Sequence, residues 1–457
     1  MSKVRFSRKF LQESSSKNSA ATRPWHIALP LAAFTLSGAA CDLGKSSVEH
    51  AAVEEIEGCQ GEAASAAHPF GSRPQPYVST LNLPSPAQSD KDSAVVSLYR
   101  RWKSAYLEPS CSGSESLIRT GHDDNLTVSE AHGYGMIILA MMAGEDEGAK
   151  TLFDGMYRFF VAHPSEASSH LMAWAQDFQC IDHEGRSSAT DGDMDIAFGL
   201  LLADKQWGSG GTINYRQEAI QVIRAIHKFD VDDSNHYMLL GDWVTPDETV
   251  YYPATRPSDF MPGHLGAFNE ADDNDSWLEL RDATYSMLLA FQEKYGGETG
   301  LVSDFIVDAA TDPRPADQGF LEYNDAHYAY NACRVPLRVG THMVTSGDAR
   351  AQEMLTRLNR WAEESTGGDP YQLRAGYSLD GTVLSGFEHT SFAFTAPLGV
   401  AAMVGSSSQE WLDSLWEQMT TESDGVYYSD SLQLLSMLVM SGNWWNPAQV
   451  SCPDSSG

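Results

Sequence analysis

The sequence predicts an all-α fold built from two concentric layers of helices. Hydrophobic periodicity and helix start and stop signals indicate about twelve helices. Some segments, such as 136–142 and 432–438, are apolar almost all round, whereas 214–226 has one apolar face. This alternation favours an inner ring of buried helices wrapped by an outer ring. The predicted helices are 92–107, 129–143, 147–161, 192–206, 214–226, 258–268, 276–294, 327–345, 348–363, 391–404, 408–418 and 429–440.

Long connections between these helices are expected to form the functional face. They are 108–128, 164–190, 227–257 and 296–326. Long loops on a rigid scaffold usually carry binding and catalytic residues. Short β-segments, for example at 237–240, are expected within them.

Composition excludes several classes of protein. The 457 residues are 42% hydrophobic and 10% aromatic, which supports a large core and excludes disorder throughout. The formal net charge is −32. Such a surface repels nucleic acid and anionic lipid, so we expect no nucleic-acid partner. A neutral or cationic partner fits better, although solubility of an exported protein also explains the charge.

The first 40 residues are typical of an export signal. The first 25 residues carry six Lys or Arg and one acid, and the apolar stretch 27–36 follows. Small residues then precede Cys41, as at a lipoprotein site, although plain secretory cleavage is the alternative. We therefore expect an exported monomer, either a cell-envelope lipoprotein or secreted, with Cys41 as its one possible membrane anchor. The interpretation assigns 1–40 to the signal, 41–67 to a flexible tether and 68–450 to one catalytic domain.

Six cysteines fit an exported protein better than a zinc site, since no C-x-x-C pair occurs. Cys111 could pair with Cys180, or Cys59 with Cys452, but the sequence does not choose the pairing. If Cys41 is acylated, the remaining count is odd and at least one thiol stays free; Cys333, in an apolar predicted helix, is the expected one.

Two acidic motifs stand at the starts of predicted helices. Glu130 lies in Ser129–Met136 (SEAHGYGM), behind Ser129 as the expected N-cap. Asp191, Asp193 and Asp195 lie in 189–197 (ATDGDMDIA). Taken alone, Glu130 could simply favour the positive end of its helix. A calcium loop would need Gly at 196 and Glu at 202, where the chain has Ile and Leu.

These two segments resemble the motifs S-E-x-x-x-Y-G-M and A-[ST]-D-G-D-x-D-I-A of glycoside hydrolase family 8. The resemblance covers about 68–447 and implies an (α/α)6 barrel of six helical hairpins. It also implies that Glu130 is the general acid and that Asp191 holds the distorted sugar. By position in the motif, Tyr134 is expected to contact substrate. Asp193 and Asp195 are expected to serve the structure.

A third segment, 328–336 (YAYNACRVP), resembles the family's Y-D-A-x-R-x-P stretch, with Asn331 where one branch has its catalytic base. An amide cannot take a proton from water. A branch typified by chitosanases has Asn there and takes its base from the preceding loop. We therefore predict Glu322 as the base, with Asp325 and Asp317 in reserve. Arg334 is expected to orient the base or bind sugar hydroxyls.

Three aromatic residues, Trp174, Trp243 and Tyr330, stand where the family has sugar platforms. Flat rings stack on the apolar faces of sugars. Asn331 and Arg334 complete the expected substrate contacts, and no cofactor or metal motif is present.

The predicted function is endo-acting, inverting hydrolysis of a β-1,4-linked glycan, either chitosan or a β-glucan such as cellulose or lichenan. Glu115, Asp242, Asp247 and Asp272 are candidates for binding glucosamine ammonium groups. The alternative is a surface lipoprotein that binds glycans without cleaving them.

Overall fold

Twelve α-helices form the framework of the part of the chain that the computed structural model describes, residues 58–452 without 64, 122, 123, 184 and 406. The predicted export signal, Cys41 and most of the predicted tether lie outside these residues. The helices are α1 (Gln88–Tyr106), α2 (Ser129–Met141), α3 (Ala149–Ala162), α4 (Thr190–Trp207), α5 (Tyr215–Phe229), α6 (Pro262–Asp272), α7 (Ser276–Tyr295), α8 (Val335–Ser346), α9 (Ala349–Thr366), α10 (Phe392–Ala401), α11 (Gln409–Thr421) and α12 (Tyr427–Met440).

The even-numbered helices form a closed inner ring. Each packs against the next one, from α2 through α4, α6, α8 and α10 to α12, and α12 packs against α2. The odd-numbered helices lie outside: α3 packs on α2, α5 on α4, α7 on α6, α9 on α8, α11 on α10 and α1 on α12. This arrangement is the (α/α)6 barrel, and it confirms the predicted fold.

The residue pattern of each helix explains the layer in which it lies. In α4, every residue except Lys205 is buried, as an inner helix requires. In α9, the buried residues follow one face at helical spacing, including Ala351, Met354, Leu355 and Leu358, while the opposite face meets solvent. The alternation seen in the sequence is therefore the alternation of inner and outer helices.

Prolines place two helix starts later than predicted. The helix predicted over 327–345 begins at Val335, with Pro336 in its first turn. The helix predicted over 258–268 begins at Pro262 and runs to Asp272. Proline fits the first turn of a helix, where its missing N–H has no partner to lose, and breaks the interior.

Short strands lie in the long connections, as predicted. They are β1 (Leu107–Pro109), β2 (Ser116–Ile118), β3 (Asn125–Val128), β4 (Ala175–Asp177), β5 (Val231–Asp232), β6 (Tyr237–Met238), β7 (Ala254–Thr255), β8 (Ile306–Val307) and β9 (Arg314–Pro315). The pairs β1–β2, β3–β4 and β5–β6 are antiparallel, and β7, β8 and β9 form a three-stranded antiparallel sheet. These strands stiffen the loops that carry the candidate site.

The folded domain begins before the boundary predicted at residue 67. Cys59 is buried, and its N–H donates to Asp204 Oδ1 at 2.9 Å. The N–H groups of Ala63 and Ala67 donate to the carbonyls of Trp207 and Gln206. The tether prediction is thus wrong for the described residues from 58 to 67, because their backbone pairs with the end of α4.

Both cysteine pairs considered from the sequence form disulfides. Cys59 bonds to Cys452 and Cys111 bonds to Cys180. Of the cysteines that the structure describes, Cys333 is the free one, and it is buried. The first bond joins the two ends of the described chain. None of the helices between residues 58 and 452 is long and apolar enough to cross a membrane.

Candidate active site

Two glycines bring the starts of α2 and α4 together. A Cβ at Gly192 would lie 2.3 Å from Ser129 Oγ, and a Cβ at Gly133 would lie 2.4 Å from Asp195 Cβ. Both distances are shorter than real contacts, so only glycine permits this approach. As a result, Glu130 and Asp191, in the first turns of the two helices, lie side by side.

Glu130 is also positioned by the strand that precedes it. β3 runs directly into α2, and the N–H of Ser129 donates to the carbonyl of Trp174 at 2.8 Å. The prediction that Ser129 is the N-cap is wrong: Val128 holds that position, and the Ser129 side chain packs against the Gly192 backbone instead. The same contact places Trp174 beside the first turn of α2.

Arg334 connects the two acids. Its Nη1 donates to Glu130 Oε2 at 2.8 Å and to Asp191 Oδ2 at 2.6 Å. Its Nη2 donates to Ser258 Oγ at 2.8 Å. The side chain is 1% exposed, so these bonds form out of water, where charge-assisted hydrogen bonds are strongest. Arg334 therefore orients the two carboxylates from a buried position, and it exposes little surface to a substrate.

Sequence reasoning missed two residues at this cluster. Arg256 Nη2 lies 3.3 Å from Asp191 Oδ1, and its Nε donates to Asp259 Oδ1 at 3.0 Å. The hydroxyl of Tyr427, at the start of α12, donates to Glu130 Oε1 at 3.1 Å. Neither residue stands in one of the three motifs. Only the closure of the barrel, which brings α12 against α2, places Tyr427 here.

The same surroundings drive the two acids to opposite protonation states. Burial raises the pKa of Glu130 to about 7, and the neighbouring charge of Asp191 adds to the rise while Arg334 opposes it. The pKa of Asp191 is lowered, although burial acts against this, because Arg256 and Arg334 both favour its ionised form. A protonated acid beside a permanent carboxylate is the pairing that acid catalysis of glycoside cleavage uses.

Glu322 meets this cluster through Asn331. Asn331 Nδ2 donates to Glu322 Oε2 at 3.0 Å, and Asn331 Oδ1 accepts from Arg334 Nη2 at 2.9 Å. Burial raises the pKa of Glu322 and the charge of Asp325 adds to it, whereas Arg256 and the Asn331 amide act in the other direction. The structure thus brings the predicted acid and the predicted base into one hydrogen-bonded network.

Asp325 and Asp317, the two other candidates for the base, have different surroundings from Glu322. The carboxylate of Asp325 accepts from the N–H groups of Leu321 and Glu322, at 3.3 and 2.9 Å, and so fixes the loop that carries Glu322. Asp317 is exposed, and its carbonyl accepts from the N–H of Phe320. Of the three loop acids considered, Glu322 alone is joined to the acidic cluster by a bond to Asn331.

Comparison with known proteins agrees with this geometry. The family model described as glycosyl hydrolases family 8 matches residues 79–442. The chain belongs to glycosyl hydrolase family 8.

Relatives cover most of its length. A beta-glucanase of Niallia circulans is 46% identical over 359 residues, covering 78% of this chain and 86% of that protein. An endoglucanase of Bacillus sp. (strain KSM-330) is 38% identical, covering 79% of this chain and 78% of that protein. The apo structure of a beta-1,3-1,4-glucanase from Paenibacillus sp. X4 superposes with a TM-score of 0.80 at 44% identity, covering 83% of this chain and 99% of the other. The protein is therefore a glycoside hydrolase.

The aromatic side chains predicted as sugar platforms of this family 8 enzyme lie in three different segments. Trp174 precedes β4 and is 40% exposed, and Trp243 follows β6 and is 37% exposed. Tyr330 is partly buried, and its hydroxyl lies 3.2 Å from His389 Nε2. Large exposed rings of this kind are suited to stacking on a ligand.

Tyr134 does not take the predicted place in this family 8 site. Its side chain is 0% exposed, and the Arg338 guanidinium lies 5.4 Å from its ring centroid. The prediction that Tyr134 contacts substrate is wrong for this structure, because the residue lies one helical turn beyond Glu130, facing the barrel interior. Tyr134 therefore packs in the protein interior, one helical turn from Glu130.

Asp193 and Asp195 lie in the same helix but face structural partners. Asp195 forms a two-bond ion pair with Arg338 and accepts from His264 Nε2 at 2.9 Å. Asp193 Oδ1 accepts from the N–H of Met172 at 2.8 Å, and burial raises its pKa well above the usual range. Within the described residues, no group of three or more His, Cys, Asp or Glu side chains is arranged to hold a metal ion.

Proposed function

We propose that this family 8 hydrolase is an endo-acting, inverting β-glucanase in which Glu130 is the general acid and Glu322 the general base. The observation that carries the proposal is the bridge Glu130–Arg334–Asn331–Glu322. It holds two carboxyl groups in one site while keeping a guanidinium and an amide between them. Inverting enzymes keep the two carboxyl groups about 6.5–9.5 Å apart to fit a water beside the sugar, and a bridge of two intervening side chains is compatible with that requirement.

The reaction then follows from the charges of the site. Protonated Glu130 gives its proton to the glycosidic oxygen as the bond from that oxygen to the anomeric carbon breaks. Glu322 takes a proton from a water, and the oxygen of that water forms the new bond on the opposite face of the sugar. Glu130 becomes a carboxylate during this step, and Arg334 stabilises the charge that develops on it. Solvent returns the proton from Glu322 to Glu130.

Asp191 has a different role in this proposal. Two arginines hold it ionised, so it does not donate a proton at neutral pH. A permanent negative charge near the anomeric carbon favours the positive charge that the sugar ring develops in the transition state. Asp191 is thus proposed to bind the sugar at the cleavage point.

The named relatives support a β-glucan as substrate, with mixed β-1,3-1,4 linkage the first choice. The chitosan prediction finds less support in the site. Three acids considered for ammonium binding already have partners within the protein. Glu115 accepts from Ser110, Asp242 accepts from the N–H of Ser188, and Asp272 accepts from Arg224.

Export and lipidation at Cys41 remain part of the proposal. The two disulfides support an oxidising compartment, because such bonds persist mainly in exported proteins. Mass spectrometry of the mature protein from a membrane fraction tests this directly. An acylated N-terminal Cys41 supports the lipoprotein, whereas an unmodified terminus in the medium supports secretion.

The test of function is hydrolysis of mixed-linkage β-glucan, carboxymethyl cellulose, chitosan and xylan. Reducing ends are counted, and NMR identifies the anomer released first. We expect cleavage of mixed-linkage β-glucan to oligosaccharides with the inverted α-anomer as first product. A β-anomer would exclude the inverting mechanism, and preference for chitosan would restore the other substrate class. Binding without cleavage of any polymer would indicate the non-catalytic alternative.

Variants of the acidic residues separate their roles. Glu130→Gln and Glu322→Gln should each lower kcat by about 10²–10⁴-fold, the range of general acid and base catalysis. Asp317→Asn is the matched control, since Asp317 is an exposed acid on the same loop. Near-normal activity of the Glu322→Gln variant would refute the base assignment.

A further inference from the structure

A buried carboxylate outside all three motifs holds the turn that carries Asn331. Asp304, two residues before β8, is 3% exposed. Its Oδ1 accepts from the N–H groups of Ala329, Asn331 and Ala332 at 3.0, 3.2 and 2.7 Å. Burying a carboxylate is costly unless it is hydrogen-bonded, and three donors on one oxygen offset that cost. The turn therefore depends on this side chain for its shape.

The backbone at Asp304 also fixes the loop that carries Glu322. The N–H of Asp304 donates to the carbonyl of His327 at 2.8 Å, and the N–H of Phe305 donates to the carbonyl of Asp325 at 3.1 Å. Asp325 in turn accepts from the N–H of Glu322 at 2.9 Å. Asp304 thus lies where the base loop and the Asn331 turn meet.

The side chain of Asn331 depends on this placement, because both ends of its amide are used. Its Oδ1 accepts from Arg334 and its Nδ2 donates to Glu322. A rotation or shift of the turn would break both bonds together. Among the described residues the amide donates to Glu322, and this bond favours the ionised form that a base requires.

We propose that Asp304 is a positioning residue for the reaction, which acts by holding the 329–332 turn so that the Asn331 amide stays bonded to Glu322. The inference rests on the proposed role of Glu322 as base. Asp304 touches neither the acid Glu130 nor the sugar-binding Asp191 through any of its three bonds, so its effect passes through Asn331.

The charges around this network act on both carboxylates. Burial and the neighbouring Glu322 raise the pKa of Asp304 to about 7, while the three N–H donors lower it. Glu322 itself faces Arg256, Arg334 and Asp325. Replacing Asp304 removes a nearby negative charge as well as an acceptor, and a test must separate these two effects.

Two substitutions make that separation. Asp304→Asn loses the charge but keeps an oxygen at the position of Oδ1, whereas Asp304→Ala loses both. We expect kcat on mixed-linkage β-glucan to be about tenfold lower in D304A than in D304N. We also expect the acidic limb of kcat/KM, which reports the base, to lie about one pH unit higher in D304A, because Glu322 loses the Asn331 bond. KM should differ little between the two.

The same pair in an Asn331→Ala background tests the route of the effect. If Asp304 acts through Asn331, D304A and D304N should have the same kcat and the same acidic limb once Asn331 is removed. A difference that persists in this background would overturn the proposal, as would equal profiles for D304A and D304N when Asn331 is present. If D304A does not fold, Asp304→Ser replaces it, since a hydroxyl is too short to reach all three N–H groups.

A structural control distinguishes positioning from stability. Asp204 is also a buried carboxylate that accepts a backbone N–H, that of Cys59, but it lies at the far end of α4. Asp204→Ala should lower Tm without moving the acidic limb. If D304A has a lower Tm but an unchanged acidic limb of kcat/KM, then Asp304 has the same purely structural role as Asp204. An active Glu322→Gln enzyme would instead show that the proposed base is wrong.

Discussion

The hydroxyl of Tyr427 provides a direct test of the proposed acid. It donates to Glu130 Oε1 at 3.1 Å, and this bond favours the ionised form of Glu130. Tyr427→Phe removes the donor and leaves the ring in place. The carboxylate then loses the Tyr427 hydroxyl as a donor and keeps Arg334. The pKa of Glu130 should therefore rise above its present value of about 7.

The size of the rise follows from the bond that is lost. Hydrogen bonds to charged groups contribute about 1.5–3 kcal/mol. The O···O distance of 3.1 Å is long for such a bond, so the lower end applies. One pKa unit corresponds to 1.36 kcal/mol, and the expected rise is therefore about one unit.

The assay is the pH dependence of kcat/KM, which reports the free enzyme. Since the acid must be protonated, activity falls as pH rises through the pKa of Glu130. In the wild type we expect this alkaline limb near pH 7, and in the Tyr427→Phe variant about one unit higher. Tyr428→Phe is the matched control, because the Tyr428 hydroxyl donates to the carbonyl of Tyr330. A limb that is unmoved or lower in the Tyr427→Phe variant would refute Glu130 as the acid.

Four further predictions concern stability, the base and substrate binding. Glu130 carries a pKa of about 7, above its unfolded value, so its stabilising contribution is complete below about pH 4.5 and is lost as pH rises through 7. The Tm of the Glu130→Gln variant should therefore exceed that of the wild type by more at pH 8 than at pH 5. The corresponding difference in unfolding free energy should grow by at most about 3 kcal/mol between these pH values. An equal Tm difference at both pH values would contradict this. Asn331→Asp replaces the donor at 3.0 Å from Glu322 with a second carboxyl group, so the acidic limb of kcat/KM should move to higher pH; an unchanged limb would show that the two groups do not interact. Cys59→Ala with Cys452→Ala removes a bond between residues 393 apart and should lower the unfolding free energy, measured in denaturant, by about 4 kcal/mol, whereas a loss below 1 kcal/mol would show that the ends are held by other contacts. Trp243→Ala should raise KM about 3–10-fold with little change in kcat, and an unchanged KM would remove Trp243 from the binding surface.

The helical framework could be predicted because its signals are local. Inner helices such as α2 and α12 contain segments that are apolar almost all round, whereas outer helices such as α9 are apolar on one face, and the residue order shows this contrast. The start of α8 was missed for a reason besides Pro336, and that reason is not periodic. At 327–334 the apolar pattern continues, but the N–H groups of Ala329, Asn331 and Ala332 are taken by Asp304, which lies 25 residues before the first of them.

The candidate site was predictable only in part, for a related reason. Glu130 and Asp191 stand in motifs whose glycines allow two helices to approach closely, so the sequence near each residue encodes their meeting. Arg256, Tyr427 and Asp304 reach the site through ring closure or loop packing. Their sequence neighbours carry no pattern that distinguishes them from ordinary surface or core residues. The Tyr134 prediction failed because a motif position does not fix the direction of a side chain.

The amide at Asn331 is best understood together with Glu322, the proposed base on the neighbouring loop. An aspartate at 331 could accept from Arg334 but could not donate to Glu322, and it would place two carboxylates in contact. Like charges at that distance cannot both stay ionised, so one of the two would be lost as a base. With Asn331, the Arg334 guanidinium donates to the amide oxygen and the amide N–H donates to the Glu322 carboxylate, so each donor has an acceptor. Asn331, which cannot itself take a proton from water, therefore provides the contact that the proposed base Glu322 needs.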